Sequence, residues 1–258
     1  MTTKELYAAL EARMPRDLSA EWDNDGISCL LEDKTVARVL VALDATEEIV
    51  DYAIASGFDV LLTHHPLLFR GIKALTNEQT VSRKLLKLAR AGVAAMSFHT
   101  RLDTVAGGVN DVFAEKLGLR DVHAFAPEGE VACGRIGTLE APLDEVALAK
   151  KVCDALSISG VLVSGKGDVR RVAVLGGEGG DFVDAARRAG ADAFVAGRIG
   201  YHRMLDGAED GIVLIEAGHF ATEVAVCHTL RDMVLDCAPN LTVEVYTTPT
   251  LREVRVKE

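Results

Sequence analysis

Two stretches of this chain follow the same pattern, 133 residues apart. Arg38-Val39-Leu40-Val41 corresponds to Arg171-Val172-Ala173-Val174, and Gly57-Phe58-Asp59 corresponds to Gly190-Ala191-Asp192. In each copy, a short apolar run is followed by a helical pattern and then by a second apolar run, which is the pattern of a β-α-β unit. A repeat of this length indicates duplicated structure. The chain is therefore expected to form two similar lobes.

The apolar runs also predict the fold class. Residues 39–43, 60–62 and 93–98 are almost continuously apolar, as in strands of a largely parallel sheet covered on both faces. Residues 131–139 differ and favour an antiparallel strand. We expect an α/β fold in which each lobe has a β-α-β based mixed sheet flanked by helices. The lobes are expected to be related by a pseudo-twofold axis.

The predicted lobe boundaries follow a change in sequence texture near residue 127. Pro127, Glu128 and Gly129 interrupt the chain there. Lobe 1 is predicted to comprise residues 1–126 with 217–258, and lobe 2 to be an insertion of residues 127–216.

Composition excludes several classes of protein. The 258 residues carry a formal net charge of −11, which repels nucleic-acid phosphates, so nucleic acid is not an expected partner. The sequence has no apolar run of about 18 residues, so no membrane span is expected. The N-terminus does not resemble a signal peptide, and the five cysteines form no CxxC pair. These features predict a soluble cytoplasmic protein with reduced thiols.

Two histidines follow the second apolar run, in Thr63-His64-His65-Pro66. The carboxyl ends of strands are where open α/β sheets gather ligands. Neighbouring residues on a strand face opposite ways, but Pro66 ends the strand and lets both imidazoles reach one place. The alternative is a histidine pair in a turn, with no ligand.

A histidine followed four residues later by a carboxylate occurs after the third strand of each copy. Residues 92–96 match 211–215, and these runs lead to His99 with Asp103 and to His219 with Glu223. Taken alone, Asp103 could cap the following helix, and Glu223 could be an acidic residue in the first turn of a helix that runs through Val234.

The repeat would bring these strand ends together in a site between the lobes. Histidine and carboxylate ligands suit two divalent ions about 3.5 to 4 Å apart. Zinc, iron and manganese are all acceptable.

Four motifs, in this order, resemble the Nif-three-like family, whose bacterial members are called GTP cyclohydrolase 1 type 2 homologs. The resemblance spans essentially the whole chain. It implies a two-lobed α/β protein with a dinuclear metal centre, assembled as a toroidal homohexamer with its sites facing an inner cavity. The motifs are Trp22-Asp23-Asn24-Asp25-Gly26, Thr63-His64-His65-Pro66-Leu67, His99-Thr100-Arg101-Leu102-Asp103 and Gly218-His219-Phe220-Ala221-Thr222-Glu223.

The resemblance also implies roles for individual residues. Glu223 would bridge the two ions, and His99 would lie outside the ligand set, where it could orient a ligand or relay a proton. Trp22 and the two residues after it match a motif near the site entrance, although a buried tryptophan beside a polar turn explains them equally well. The implied ligands are His64, His65, Asp103, His219 and Glu223.

Two positions depart from the family pattern. Glu178 lies in the glycine-rich loop predicted at 176–180, where relatives often carry a small hydroxyl residue, and it would repel an anion. Arg198 replaces the usual acidic residue. His202, with Asp206, could line the cavity but is also typical of a polar surface.

These observations favour a metal-dependent hydrolase whose ions lower the pKa of water for attack on a bound substrate. The resemblance implies attack at C8 of the guanine ring of GTP, with ring opening and release of formate. The ligand set alone equally allows a phosphatase or an amidohydrolase. The alternative is a non-catalytic, metal-binding hexameric scaffold or regulatory protein.

Overall fold

The computed structural model describes residues 1–249 and 251. The strands are β1 (Gly26–Cys29), β2 (Arg38–Ala42), β3 (Val60–Thr63), β4 (Ala94–Ser97), β5 (Arg120–Phe125), β6 (Gly134–Leu143), β7 (Leu162–Ser164), β8 (Val169–Glu178), β9 (Ala193–Arg198), β10 (Val213–Glu216) and β11 (Thr242–Tyr246). The helices are α1 (Thr3–Arg13), α2 (Glu47–Ala55), α3 (Thr80–Ala91), α4 (Thr100–Thr104), α5 (Val109–Lys116), α6 (Glu145–Leu156), α7 (Val183–Arg188), α8 (Tyr201–Glu209), α9 (His219–Glu223) and α10 (Val226–Cys237).

The first compact unit contains Met1–Leu10, Asn24–Phe98 and the segment that begins at Leu230. Its sheet has the order β1-β4-β3-β2-β11, in which only the β1–β4 pair is antiparallel among the described strands. Helices α2 and α3 bury apolar side chains such as Ile49 and Leu88 against this sheet. Thr46 caps α2 by accepting a hydrogen bond from the Ile49 amide.

The second compact unit contains Glu11–Asp23 and His99–Thr229. Its sheet has the order β5-β6-β8-β9-β10-β7, with β8, β9 and β10 parallel and the other pairs antiparallel. Val195 of β9 lies in a core with α5 and α6, whereas Phe194 lies in a core with α7 and α8. The sheet is therefore covered on both faces. Two mixed sheets flanked by helices confirm the predicted α/β class, and β6 confirms the predicted antiparallel strand.

The repeat is visible in the hydrogen bonds of each unit. Strand pairing joins Val39 to Val60 in the first unit and Val172 to Ala193 in the second, the same 21-residue separation. The Asp59 carboxylate accepts hydrogen bonds from the amides of residues 37 and 38, at 2.8 Å each. Asp192 does the same for residues 170 and 171, at 2.9 and 2.8 Å. Each unit thus contains the predicted β-α-β plan; the pseudo-twofold axis stays a prediction.

The units and the predicted lobes change at different residues. The predicted lobes change at 126/127 and 216/217, whereas the compact units change at Leu10/Glu11, Asp23/Asn24, Phe98/His99 and Thr229/Leu230. The lobe division stays a prediction, and its residues 250 and 252–258 lie outside the described part of the chain.

Two local expectations were wrong. The helix expected from His219 through Val234 is interrupted, because α9 ends at Glu223 and α10 begins at Val226. The expected glycine-rich loop is largely strand, because β8 extends to Glu178 and includes Gly176 and Gly177.

Within the described chain, no helix combines the length and apolar character that crossing a bilayer requires.

Candidate metal centre

His64 and His65 lie directly after β3, at its carboxyl end. Their backbone amides continue the ladder by donating to the carbonyl oxygens of Ala42 and Leu43, at 3.3 and 2.9 Å. Their two rings nevertheless lie side by side, with centroids 4.8 Å apart. The strand ending therefore presents both imidazoles together, as the proline had suggested.

The partners of these histidines define which ring nitrogen carries the proton. His64 Nδ1 lies 3.0 Å from the carbonyl oxygen of Phe98, and His65 Nδ1 lies 2.8 Å from Asp44 Oδ1. Carbonyl and carboxylate oxygens only accept hydrogen bonds, so Nδ1 carries the proton in both rings. In a neutral imidazole, Nε2 then has the lone pair that can bind a metal.

His99 is held in the same way by Asp23. Its Nδ1 lies 3.0 Å from Asp23 Oδ1, while the other carboxylate oxygen accepts from the Thr100 amide and hydroxyl, at 3.0 and 2.5 Å. Burial alone would raise the pKa of Asp23, but the hydrogen bonds from His99 and Thr100 outweigh it and lower the pKa to about 2. Asp23 is therefore a permanent anion at neutral pH, and His99 Nε2 is left to bind a ligand or exchange a proton.

Asp103 does not serve as the helix cap that its sequence position allowed. Helix α5 begins after Gly108, and within the described chain no side chain caps it. Asp103 instead lies within α4, and its backbone oxygen accepts a hydrogen bond from Asn110 Nδ2 at 3.2 Å.

His219 and Glu223 lie at the two ends of α9. His219 Nε2 is 3.2 Å from Glu223 Oε2, and Glu223 is only 4% exposed. The end of β8 passes close to both side chains: a Cβ added to Gly177 would collide with the Glu223 carboxylate and lie 3.1 Å from His219 Nε2. Gly177 also has a positive φ of 71°. The strand thus needs glycine there to leave room for the carboxylate.

Three groups of side chains offer ligand atoms that lie within 4.8 Å of one another. They are His64 with His65 and His99; His65 with His219 and Glu223; and His64 with Asp103 and Glu223. Imidazole nitrogens with carboxylate oxygens suit borderline divalent cations such as zinc, iron and manganese. The residues present therefore fit a metal ion, and they include all five implied ligands together with His99.

The structure separates other sequence candidates from these groups. His202 and Asp206 are exposed on α8, as expected for surface polar residues. Glu178 and Arg198, the two departures from the family pattern, are exposed and form a loose ion pair at 3.9 Å. Trp22 is 59% exposed, so the interpretation of a buried tryptophan was wrong.

Sequence analysis missed Asp44, the partner of His65. A signal was available, because Asp44 comes two residues after β2 and so lies at the same carboxyl edge of the sheet as the two histidines.

The whole chain is similar to proteins of a known family. Residues 1–252 match the family described as Duf34/NIF3 (NGG1p interacting factor 3). The chain belongs to the Duf34/NIF3 family.

Relatives in this family are similar over most of their length. A "GTP cyclohydrolase 1 type 2 homolog" of Streptomyces coelicolor is 35% identical over 233 residues, covering 86% of this chain and 82% of the relative. One of the same description from Streptococcus pneumoniae is 33% identical over 233 residues, covering 88% of each.

Solved structures of NIF3-like proteins share the fold. A Bacillus cereus protein related to NIF3 has a TM-score of 0.90 at 23% identity, with 99% of each chain covered. Reduced HcgD from Methanocaldococcus jannaschii has a TM-score of 0.81 at 26% identity, covering 95% of this chain and 97% of that one.

Proposed function

We propose that this NIF3-family chain is a divalent-metal-dependent hydrolase that acts on GTP or a related nucleotide or phosphate ester. The observation that carries the proposal is that the ligand atoms within each of the three groups of imidazole and carboxylate side chains lie within 4.8 Å of one another. The names of the Streptomyces and Streptococcus relatives, as GTP cyclohydrolase 1 type 2 homologs, support a nucleotide substrate.

The proposed centre holds two ions, of zinc, iron or manganese. Its ligands are His64, His65, Asp103, His219 and Glu223. His64, His65 and Glu223 each belong to two of the three groups, but only the Glu223 carboxylate has two oxygen ligand atoms, which supports a bridging role for it. His99 is assigned to the surroundings of the centre, although it shares the third group with His64 and His65.

Bound divalent ions supply Lewis acidity, which lowers the pKa of water and polarises the substrate. The chain's own residues orient the site. Asp44 and the Phe98 carbonyl fix the Nδ1 protons of His65 and His64, which makes Nε2 the metal-binding atom of both rings. Asp23 fixes His99 in the same sense, so His99 Nε2 is the atom that can take a proton from the attacking water and pass it to the leaving group.

Glu223→Gln tests the proposal, because it keeps the size of the side chain and removes its negative charge. The purified protein, loaded with zinc, manganese or iron(II), is assayed with GTP and a panel of nucleotides and phosphate esters. We expect the rate of hydrolysis in Glu223→Gln to be at least about 100-fold below that of the wild type. Loss of an outer-shell partner of a metal costs up to about 100-fold, and loss of a ligand should cost at least as much.

Glu209→Gln, at an exposed site at the end of α8, serves as the matched control and should keep full activity. A wild-type rate no higher than that of metal-free Glu223→Gln would contradict the proposal. Metal uptake without turnover of any substrate would favour a non-catalytic metal-binding scaffold or regulatory protein.

Two further proposals concern assembly and location. The chain is proposed to form a toroidal homohexamer, which light scattering after size exclusion would detect as about six times the 27.6 kDa chain mass. Location in the cytoplasm is proposed from the cysteine pattern, which is typical of reduced thiols.

A further inference from the structure

Trp22 has a large apolar side chain and is largely exposed to solvent. It is the only tryptophan of the chain, and its side chain is 59% exposed. Tryptophan normally buries most of its surface, and its burial usually dominates local packing energy. More than half of the surface of Trp22 is therefore accessible to a ligand.

The turn that carries Trp22 is held firmly. The Asp23 amide donates to the Ala20 carbonyl at 3.0 Å, and the Ala20 amide donates to Thr100 Oγ1 at 3.0 Å. The buried Asp23 carboxylate is bonded to His99 and Thr100. The backbone on both sides of Trp22 is thus anchored, which lowers the entropic cost of binding a ligand through the indole.

The indole lies against His99. The two ring centroids are 6.1 Å apart with an interplanar angle of 71°. His99 in turn belongs to the candidate ligand group with His64 and His65. An exposed, anchored aromatic surface therefore stands one ring away from the candidate metal centre.

We propose that Trp22 stacks on a planar heteroaromatic ring of the substrate while the metal centre engages the reacting group. This inference rests on the proposed function, and it assigns a binding residue to the ring of the substrate, which the proposed metal ligands do not contact. Stacking suits the indole because its flat face accepts any base-like ring without requiring a matched hydrogen bond. Trp22 would then be a specificity-determining residue that favours nucleotides over phosphate esters without a ring.

The single tryptophan makes a direct test possible. The metal-loaded wild type is titrated with guanosine, guanosine 5′-monophosphate and ribose 5-phosphate while tryptophan fluorescence is recorded. Saturable quenching is expected with the two guanine compounds and not with ribose 5-phosphate.

Calorimetric titration with guanosine then compares variants. Trp22→Ala is expected to weaken guanosine binding roughly 5- to 150-fold, the range for loss of one stacked base, whereas Trp22→Phe keeps most of the affinity. Tyr201→Ala is the matched control, because Tyr201 is 73% exposed and also packs edge-on against a histidine, His202, at 5.3 Å. This control should bind guanosine like the wild type.

The proposal is overturned if Trp22→Ala binds guanosine as tightly as the wild type, or if ribose 5-phosphate quenches the fluorescence as guanosine does. It is also overturned if Trp22→Ala changes only the oligomeric mass, since Trp22 would then lie at an interface between copies. Hydrolysis is assayed in parallel to separate the two proposals. If the wild type hydrolyses a nucleotide and Trp22→Ala does so equally well, the stacking role is contradicted and the hydrolase proposal stands. If guanosine binding depends on Trp22 but no substrate is hydrolysed, the hydrolase proposal is contradicted and the stacking role stands.

Discussion

Three histidines near the candidate centre each place Nδ1 against an oxygen that can only accept a hydrogen bond. The partners are the Phe98 carbonyl for His64, Asp44 for His65 and Asp23 for His99. This arrangement fixes the tautomer and orientation of each ring before any ligand arrives. Because all three rings are held through Nδ1, Nε2 is the atom of each ring that can bind a metal or exchange a proton.

Gly177→Ala tests whether the end of β8 must leave room for Glu223. The added methyl group would collide with the Glu223 carboxylate, so we expect metal content per chain to fall to less than half. Metal analysis after dialysis against trace zinc measures this. Gly211→Ala is the control, because Gly211 also has a positive φ, of 85°, but has open space around its Cβ position. Both variants should lose about 1 to 3 kcal/mol of stability from backbone strain; equal metal contents would contradict the account.

Much of the site could be predicted at this scale, because strand ends and His-x-x-x-acid spacing are local patterns. The role of Gly177 could not, since the close approach of Glu223 joins residues 46 positions apart. From the sequence alone, the glycines at 176–180 are equally consistent with an anion-binding loop and with a strand end that leaves room for a side chain. Only the fold distinguishes these two interpretations.

At the scale of elements, the repeat explains how both sheets form. Each copy uses a strand, a helix and a parallel strand, and each closes the turn with an aspartate that binds two backbone amides. These elements were predictable because apolar runs, caps and glycine stops are encoded locally. The break between α9 and α10 was not, because residues 224 and 225 are ordinary helix formers. There the amides of Cys227 and His228 bond three residues back instead of four.

Asp59→Ala and Asp192→Ala should destabilise the protein by similar amounts, because the two carboxylates make the same contacts. Each variant loses hydrogen bonds from two amides to a charged acceptor, and each such bond is worth about 1.5 to 3 kcal/mol. Urea unfolding curves would measure the loss. Asp181→Ala, with a side chain that is 96% exposed, should change stability little. A large effect from only one of the two repeat aspartates would argue against equivalent units.

Helices α2 and α3 are joined by an ion-pair network that should depend on pH. Glu47 accepts two hydrogen bonds from Arg83, at 2.9 and 3.0 Å, and lies 3.0 Å from Lys87. Hydrogen bonds from Arg83 and then Lys87 lower the pKa of Glu47 from 4.5 to about 2. Because the folded-state pKa is depressed, this stabilisation is complete above about pH 4.5 and is lost as pH falls through about 2.

Glu47→Gln should therefore lower the urea midpoint at pH 7, and the gap to the wild type should close as the pH approaches 2. Glu78→Gln, at an exposed position before α3, is the control and should track the wild type throughout. A gap that stays constant down to the lowest pH would show that the charge of Glu47 is not the cause.

At the scale of the whole molecule, the path of the chain was the least predictable feature. Residues 11–23 belong to the second compact unit although the segments on both sides of them belong to the first. The assignment of this segment to the second unit depends on contacts between residues that are distant in sequence, and no local sequence pattern indicates it. Net charge, in contrast, follows from composition alone. A net charge of −11 for the whole chain is compatible with the binding of cations at one site.

Metal removal should lower thermal stability, because a ligand that binds only the folded state stabilises it by mass action. At about 100 times the dissociation constant the gain is roughly 2.7 kcal/mol, or a shift in Tm of about 5 to 10 °C for a chain of this size. Calorimetric scans with and without a chelator, with metal loss checked by elemental analysis, measure it. Re-addition of zinc or manganese should restore the original Tm. An unchanged Tm after confirmed metal loss would mean that the ions do not stabilise the fold.

Anomalous X-ray diffraction from crystals loaded with zinc, iron or manganese would locate the bound ions without assuming their ligands. We expect two peaks about 3.5 to 4 Å apart, at about 2.0 to 2.2 Å from the side chains of His64, His65, Asp103, His219 and Glu223. Metal peaks bound elsewhere, or a fully loaded protein with none of these five side chains in contact with an ion, would contradict this expectation.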